Sequence, residues 1–217
     1  MELEEIQLGP HTKIYRCRYE NYPKDKIIYA VNQNAGLFGQ VKPGYGGQSM
    51  ILMEHPEFTK IKNFAVDKCR TLCNIDESIW DGSYVTSLWV FHISETLKNY
   101  YKYVNEVMST KKYYSGVRDS FHAHPYILYE HQHVKTQWSF CFYLQIPTDL
   151  VGEEGKFLIV DEDNNIFSME VNEGDVIFFQ PSVWHRPHPI PNSKQERISI
   201  CGNITFDTPN LHKTKLL

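Results

Sequence analysis

Residues 171–206 read VNEGDVIFFQPSVWHRPHPIPNSKQERISICGNITF. Two β-branched and aromatic runs, DVIFF and RISICGNITF, are set apart by a connection rich in proline, asparagine and serine, the look of strands and their turns. In a strand, side chains alternate between faces, so Arg197, Ser199, Cys201 and Asn203 share one face of the second run while Ile198, Ile200 and Ile204 share the other. One face is polar and the other apolar. If the polar face looks inward, a guanidinium there is costly without an anionic partner, so Arg197 implies a carboxylate ligand.

The same punctuation extends upstream. WSFCFYLQIP, KFLIVDE and NIFSMEV are separated by TDLVGEEG, DEDNN and NEG, and a series of short strands with such turns is the signature of a closed or double-sheet β domain. Within the first of these runs, Ser139, Cys141 and Tyr143 alternate with Trp138, Phe140, Phe142 and Leu144. DEDNN lacks the glycine and distal glutamate of a calcium loop and reads as a hairpin turn. Toward the N-terminus, KIYRCRY and KIIYAVNQ look strand-like around a turn-forming NYPKDK, and KPGYGGQS looks like a flexible loop whose Gly44, Gly46 and Gly47 suggest a lid. EFTKIKNFAVDKCRTLC places Phe58, Ile61, Phe64, Ala65, Val66, Cys69, Leu72 and Cys73 at spacings that mostly fit one face of an amphipathic helix. YVTSLWVFHI is β-rich, and ETLKNYYKYVNEVM predicts a second helix. The expected fold is mainly β with flanking helices: a jelly roll from residue 113 to 217, with strands and supporting helices from 1 to 112 covering one sheet, all in one domain.

The formal net charge of −4 gives no overall basic field, which argues against nucleic-acid binding driven by counterion release. No apolar run is long enough to span a bilayer, and MELEEIQLGP has no signal-peptide core, so the expectation is a protein of the cytoplasm with no membrane partner. The cysteines, 5 in number, are scattered and lack C-x-x-C spacing, which fits reduced thiols. Cys69 and Cys73 lie one helical turn apart, where apolar packing explains them better than a metal does.

Histidines carry the strongest chemical signal. Of the 10 in the chain, His122 with His124, His131 with His133, and His185 with His188 form close pairs. Two histidines one residue apart on a strand point the same way and can reach one ion, with a third ligand supplied from elsewhere. His-x-His alone is as often structural or exposed, so its setting matters. His131 and His133 immediately precede the WSFCFYLQIP strand, and DVIFFQPSVWH brings His185 to the end of another strand. His122, His124 and His188 sit beside prolines and read as loop residues, and Trp184 as packing beneath the site.

In their order, the histidine pair, the Ser-x-x-x-Tyr-Leu strand, a Gly-rich hairpin, EGDVIFFQPSVWH and RISICGN resemble the 2-oxoglutarate- and iron(II)-dependent oxygenases, in particular the prolyl-hydroxylase-like enzymes of bacteria and their viruses. The resemblance covers roughly the last ninety residues. It implies the double-stranded β-helix, a jelly roll of cupin type. It implies iron(II) held by His131, His133 and His185, with 2-oxoglutarate and O2 as co-substrates. Arg197, aided by Ser199, would take the far carboxylate of 2-oxoglutarate, with Asn203 on the same face. Tyr143 either turns its hydroxyl to the co-substrate or is a core aromatic bonded to backbone. The implied reaction is hydroxylation of a C–H bond in a protein or small molecule, releasing succinate and CO2. A viral origin would put it in host cytoplasm.

His133 departs from the pattern, because it stands where most such enzymes have an aspartate, and three neutral imidazoles leave the full metal charge uncompensated. Glu130 supplying an oxygen ligand, or His133 not touching the metal, are the alternatives. Two rival functions remain: a three-histidine cupin-type dioxygenase without 2-oxoglutarate, and a non-catalytic metal-binding β-sandwich. The primary substrate is unknown from sequence, and an uncovered sheet edge could support a homodimer.

Overall fold

The computed structural model describes residues 2–33, 47–49, 55–74, 84–93, 138–161, 163–188, 190 and 192–206. Ten strands and two helices are found among them: β1 (Glu4–Gln7), β2 (Lys13–Arg18), α1 (Lys24–Gln33), β3 (Gly47–Ser49), α2 (Pro56–Leu72), β4 (Tyr84–Ile93), β5 (Trp138–Gln145), β6 (Phe157–Val160), β7 (Ile166–Met169), β8 (Asp175–Phe179), β9 (Trp184–Pro187) and β10 (Arg197–Phe206). They form a seven-stranded sheet in the order β1-β2-β8-β5-β10-β4-β3 and a three-stranded sheet in the order β7-β6-β9. Each pairing is antiparallel.

Strands β5 and β10 lie side by side at the centre of the large sheet and are buried on both faces. Their outer face, carrying Phe140, Phe142, Leu144, Ile198, Ile200 and Ile204, packs with Val176 and Phe178 against the helices. Their inner face meets the small sheet, where Cys141, Tyr143, Ile177 and Phe179 join Phe157, Ile159 and Val183. The period-two reading of both strands therefore holds, and each face has its own covering layer.

Helix α2 forms as its spacing predicts. Pro56 opens it, the Nδ1 of His55 accepts from the Glu57 amide at 3.3 Å, and Phe58, Ile61, Ala65, Val66 and Cys69 fall on the buried face. It ends where the Cys73 amide returns to the Cys69 carbonyl at 2.9 Å and Asn74 turns left-handed at φ 51. Cys69 and Cys73 serve packing, the latter accepting from the Trp138 indole at 3.1 Å.

Three local readings change. KIIYAVNQ is helical, not a strand: Ile27, Ala30 and Val31 are buried at helical spacing while Tyr29 is exposed, and Pro23 precedes the first turn. KPGYGGQS is not all loop, since Gly47–Ser49 pair with β4; Gly44 and Gly46 lie outside the described residues, as does the expected helix ETLKNYYKYVNEVM. The Gly-rich link after β5 is no hairpin, because it carries the chain from one sheet to the other. DEDNN does form the β6–β7 turn, in which Asn164 is left-handed at φ 67 and Asp161 accepts from the Asn165 amide at 2.7 Å. Gly174, at φ 89, joins three strands: its amide gives to the Tyr143 carbonyl at 2.9 Å and its carbonyl accepts from Tyr19 at 2.8 Å. Among the described residues, no helix is long and apolar enough to cross a membrane.

Candidate active site

The inner face of β5 and β10 is a ladder of facing pairs. Ser199 stands opposite Tyr143, Cys201 opposite Cys141, and Asn203 opposite Ser139. Arg197 begins β10 beyond this ladder and is buried to 1% exposure. Its guanidinium carbon lies 5.1 Å from the centroid of the Tyr143 ring. Among the described residues, the Arg197 Nε and the Tyr143 hydroxyl are both buried without a hydrogen-bond partner. No ion pair with a described carboxylate balances the guanidinium.

Such a state is expensive. A buried donor left unpaired costs about 1–3 kcal/mol, and a buried ion several kcal/mol more. Burial and the neighbouring Cys141 push the Tyr143 phenol well above its usual range, so it stays protonated and is an O–H donor. A cation and a protonated phenol side by side, with no acceptor among the described residues, are donors of the kind that a carboxylate would satisfy. Of the two readings of Tyr143, the one in which backbone satisfies its hydroxyl is not what is found. Ser199 is buried beside them on the same face.

His185 enters from the opposite sheet. It sits within β9, paired with Ile159 of β6, not at the end of β8 as the sequence suggests. Its Nδ1 lies 2.9 Å from the Val183 carbonyl, which can only accept, so Nδ1 carries a proton, and in the neutral ring the lone pair is on Nε2. That tautomer is the one a metal ligand needs. The ring rests against Phe179 and Phe157, at centroid distances of 4.3 and 5.6 Å. Trp184, next in sequence, points the other way and packs on the outside of the small sheet with Leu158 and Val160, so it does not lie beneath the site.

Register also gives the spacing. Phe179, under the imidazole, faces Ser139, which faces Asn203. From that rung to Tyr143 and Ser199 is two steps along the ladder, roughly 14 Å at ~3.4 Å per residue. Asn203 therefore stands at the imidazole end, about 20 Å along β10 from Arg197, and its Oδ1 accepts from Ser139 at 2.7 Å. It does not share a carboxylate with Arg197. The other expected ligands, His131 and His133, with Glu130, His122 and His124, lie outside the described residues. Among the described residues no three His, Cys, Asp or Glu side chains cluster as a metal site.

Two buttresses were not visible in the sequence. Buried Glu154 accepts from the amides of Val151 and Asn192 at 3.1 and 2.8 Å, and Asp149 accepts from the Lys194 amide at 2.8 Å. Both fix the segment that runs from His185 to Arg197 against the link between β5 and β6. They come from the sheet-to-sheet link, whose acidic residues look like ordinary loop polarity.

No family model matches the sequence, and no curated protein matches it. Solved structures do. The viral collagen prolyl hydroxylase of Paramecium Bursaria Chlorella virus-1 is 17% identical with a TM-score of 0.52, over 89% of this chain and 90% of that one; the same viral enzyme is also known as a 2OG complex. A Pseudomonas putida prolyl-4-hydroxylase is 13% identical with a TM-score of 0.55, over 89% and 92% of the two chains. The non-heme alpha ketoglutarate dependent carbocyclase SnoK from nogalamycin biosynthesis is 11% identical with a TM-score of 0.57, over 94% and 86%. With its central antiparallel ladder, helices on the outer face and a small opposing sheet, the chain has the double-stranded β-helix fold of the 2-oxoglutarate- and iron(II)-dependent oxygenases.

Proposed function

We propose that the chain, as one domain over residues 1–217, is an iron(II)- and 2-oxoglutarate-dependent oxygenase acting on a C–H bond of a protein or small-molecule substrate. The observation that carries this reading is the buried Arg197 with its unpartnered Nε beside the unpartnered Tyr143 hydroxyl, on the wall opposite His185. His185 would hold the metal through Nε2, with His131 and His133 completing the set. Bound iron(II), together with 2-oxoglutarate and O2, supplies oxidative attack on a C–H bond, with succinate and CO2 released. Arg197 and Tyr143 bind and orient the far carboxylate, Ser199 adding a hydroxyl. Phe157 and Phe179 shield the imidazole from water, and the Val183 carbonyl holds its tautomer.

The similar folds do not narrow the substrate, since they include prolyl hydroxylases and a carbocyclase. The test is anaerobic loading with iron(II) and 2-oxoglutarate, followed by optical titration and, on admitting air, measurement of succinate. The expected result is a metal-to-ligand charge-transfer band that saturates with 2-oxoglutarate and is lost in His185→Ala, with succinate formed slowly even without substrate. Tight iron binding with neither band nor succinate would move the reading to the three-histidine dioxygenase. Failure to bind a catalytic metal at all would leave a binding module.

A further inference from the structure

Between the imidazole end of the ladder and the guanidinium end lies one rung that the proposed reaction does not use: Cys141 facing Cys201. Their sulfurs are 3.3 Å apart, with the Cys201 thiol donating to Cys141. All five cysteines of the chain are free thiols, but these two alone meet across the interior of the domain. We propose that Cys141 and Cys201 are a modification site, closed by hydroperoxides into a reversible cross-strand disulfide on the inner face of the large sheet.

Geometry permits the bond. Facing residues on antiparallel strands have Cα atoms about 4.5 or 5.5 Å apart, depending on the type of pair, and both values fall within the ~4.4–6.8 Å that a disulfide spans. The sulfurs need to close by only about 1.3 Å to reach the ~2.0 Å bond length, a side-chain rotation that leaves the β5–β10 register in place. Chemistry favours it as well. Burial works to raise the Cys141 thiol, but the hydrogen bond from Cys201 and the charge of Arg197 outweigh it and bring it to about 7. Cys201, half-buried and the donor of that bond, is held well above the usual thiol range, first by the bond and then by desolvation. One thiol is thus the nucleophile near neutral pH, and its neighbour is the resolving group. At Cys17, Cys69 and Cys73, on the helical side, burial outweighs every lowering influence, the Trp138 indole on Cys73 included, and holds the thiols above the usual range.

The step balances. The Cys141 thiolate attacks the peroxide O–O bond, forming a sulfenic acid and expelling the alcohol, or water from hydrogen peroxide. Cys201 sulfur then displaces water from the sulfenic acid. Two thiols lose two electrons and two protons, and the peroxide is reduced. Resting on the proposed function, a corollary follows: a carboxylate seated on Arg197 cancels the charge that activates Cys141, so 2-oxoglutarate slows closure.

The test treats the intact chain with hydrogen peroxide at neutral pH, alkylates the remaining thiols under denaturing conditions, and maps the peptides. The expected product is one linkage joining the peptides that contain residues 141 and 201, reversed by a dithiol reductant, with Cys17, Cys69 and Cys73 alkylated. Cys201→Ser should leave Cys141 trapped as sulfenic acid, detectable with a dimedone probe, and Cys141→Ser should leave Cys201 unreacted. The proposal is overturned if both thiols survive, or if Cys141 in the unaltered chain proceeds to sulfinic acid without linkage. The co-substrate arm separates the two readings. A severalfold slowing by metal and 2-oxoglutarate is expected; an unchanged rate of disulfide formation leaves the switch standing and counts against Arg197 as the carboxylate's seat.

Discussion

Replacing Arg197 by methionine should move stability and binding in opposite directions, and the two magnitudes can be set from burial. Arg197 is 1% exposed and its Nε has no partner, so without a ligand the folded chain carries the desolvation of a cation with little in return. Exchanging a buried ion for an apolar side chain of similar length is typically neutral or stabilising by about 1–4 kcal/mol. Methionine also keeps a polarisable group over the Tyr143 ring. The bound state behaves oppositely, because removing one partner of a buried charge pair costs about 3–5 kcal/mol, or between a hundredfold and a few thousandfold in Kd at ~1.4 kcal/mol per decade. Thermal denaturation reads both. With a redox-inert divalent ion and 2-oxoglutarate at about a hundred times its Kd, the unaltered chain gains ~2.7 kcal/mol, which at this size raises Tm by roughly 5–10 °C. Arg197→Met should start at an equal or higher Tm and gain no more than about 1–2 °C from 2-oxoglutarate at the same concentration over the metal alone, with calorimetric titration confirming the lost affinity. A variant that melts far below the unaltered chain yet binds 2-oxoglutarate as tightly would show the guanidinium to be structural and sink the reasoning.

Two further outcomes concern the scaffold. Phe58→Ala, on the fully buried face of α2, should cost about 3–5 kcal/mol in urea denaturation, whereas Tyr29→Ala on α1, at 66% exposure, should stay within ~0.5 kcal/mol; equal effects would mean that α2 does not cover the sheet. Burial raises Cys17 from the ordinary 9.0 to about 11, so above pH 9 the unfolded chain releases this proton while the folded chain keeps it. Stability from this group is therefore present below pH 9 and lost as pH rises toward 11, by at most about 2.7 kcal/mol. Melting curves at pH 8 and pH 10.5 should separate more for the unaltered chain than for Cys17→Val, and parallel shifts would contradict the burial of this thiol.

Parity is what made the site legible. Once RISICGNITF is taken as a strand, the sorting of Arg197, Ser199 and Cys201 from Ile198, Ile200 and Ile204 follows from the pleat alone, and the structure keeps that sorting. Pairing register is not in either strand by itself. Nothing in WSFCFYLQ says that Cys141 faces Cys201 and not Ser199, because register depends on partners far apart in sequence. The helix α1 was hidden by Ile27, Ile28 and Val31, whose branched side chains favour strands, while Pro23 and the burial of Ile27, Ala30 and Val31 at helical spacing prevailed in the fold. Strand β9 was hidden by the prolines in and around it: it is only Trp184–Pro187, and among the described residues it pairs with β6.

The two faces of the central ladder do separate work, and that is why a chain of this size tolerates so costly an interior. Outward, Phe140, Phe142, Leu144, Ile198, Ile200 and Ile204 are sealed beneath the helices and hold β5 to β10 by burial that does not depend on any ligand. Inward, the same backbone presents Tyr143, Cys141, Ser199 and Arg197 in fixed positions, two of them with donors that find no hydrogen-bond partner among the described residues. The outer face supplies the rigidity, so on the proposed function an incoming carboxylate would meet donors already aimed and lose little to reorganisation. The sign of a substitution on these strands should then follow its parity: apolar replacements facing in relieve strain and weaken binding, whereas polar replacements facing out loosen the ladder itself.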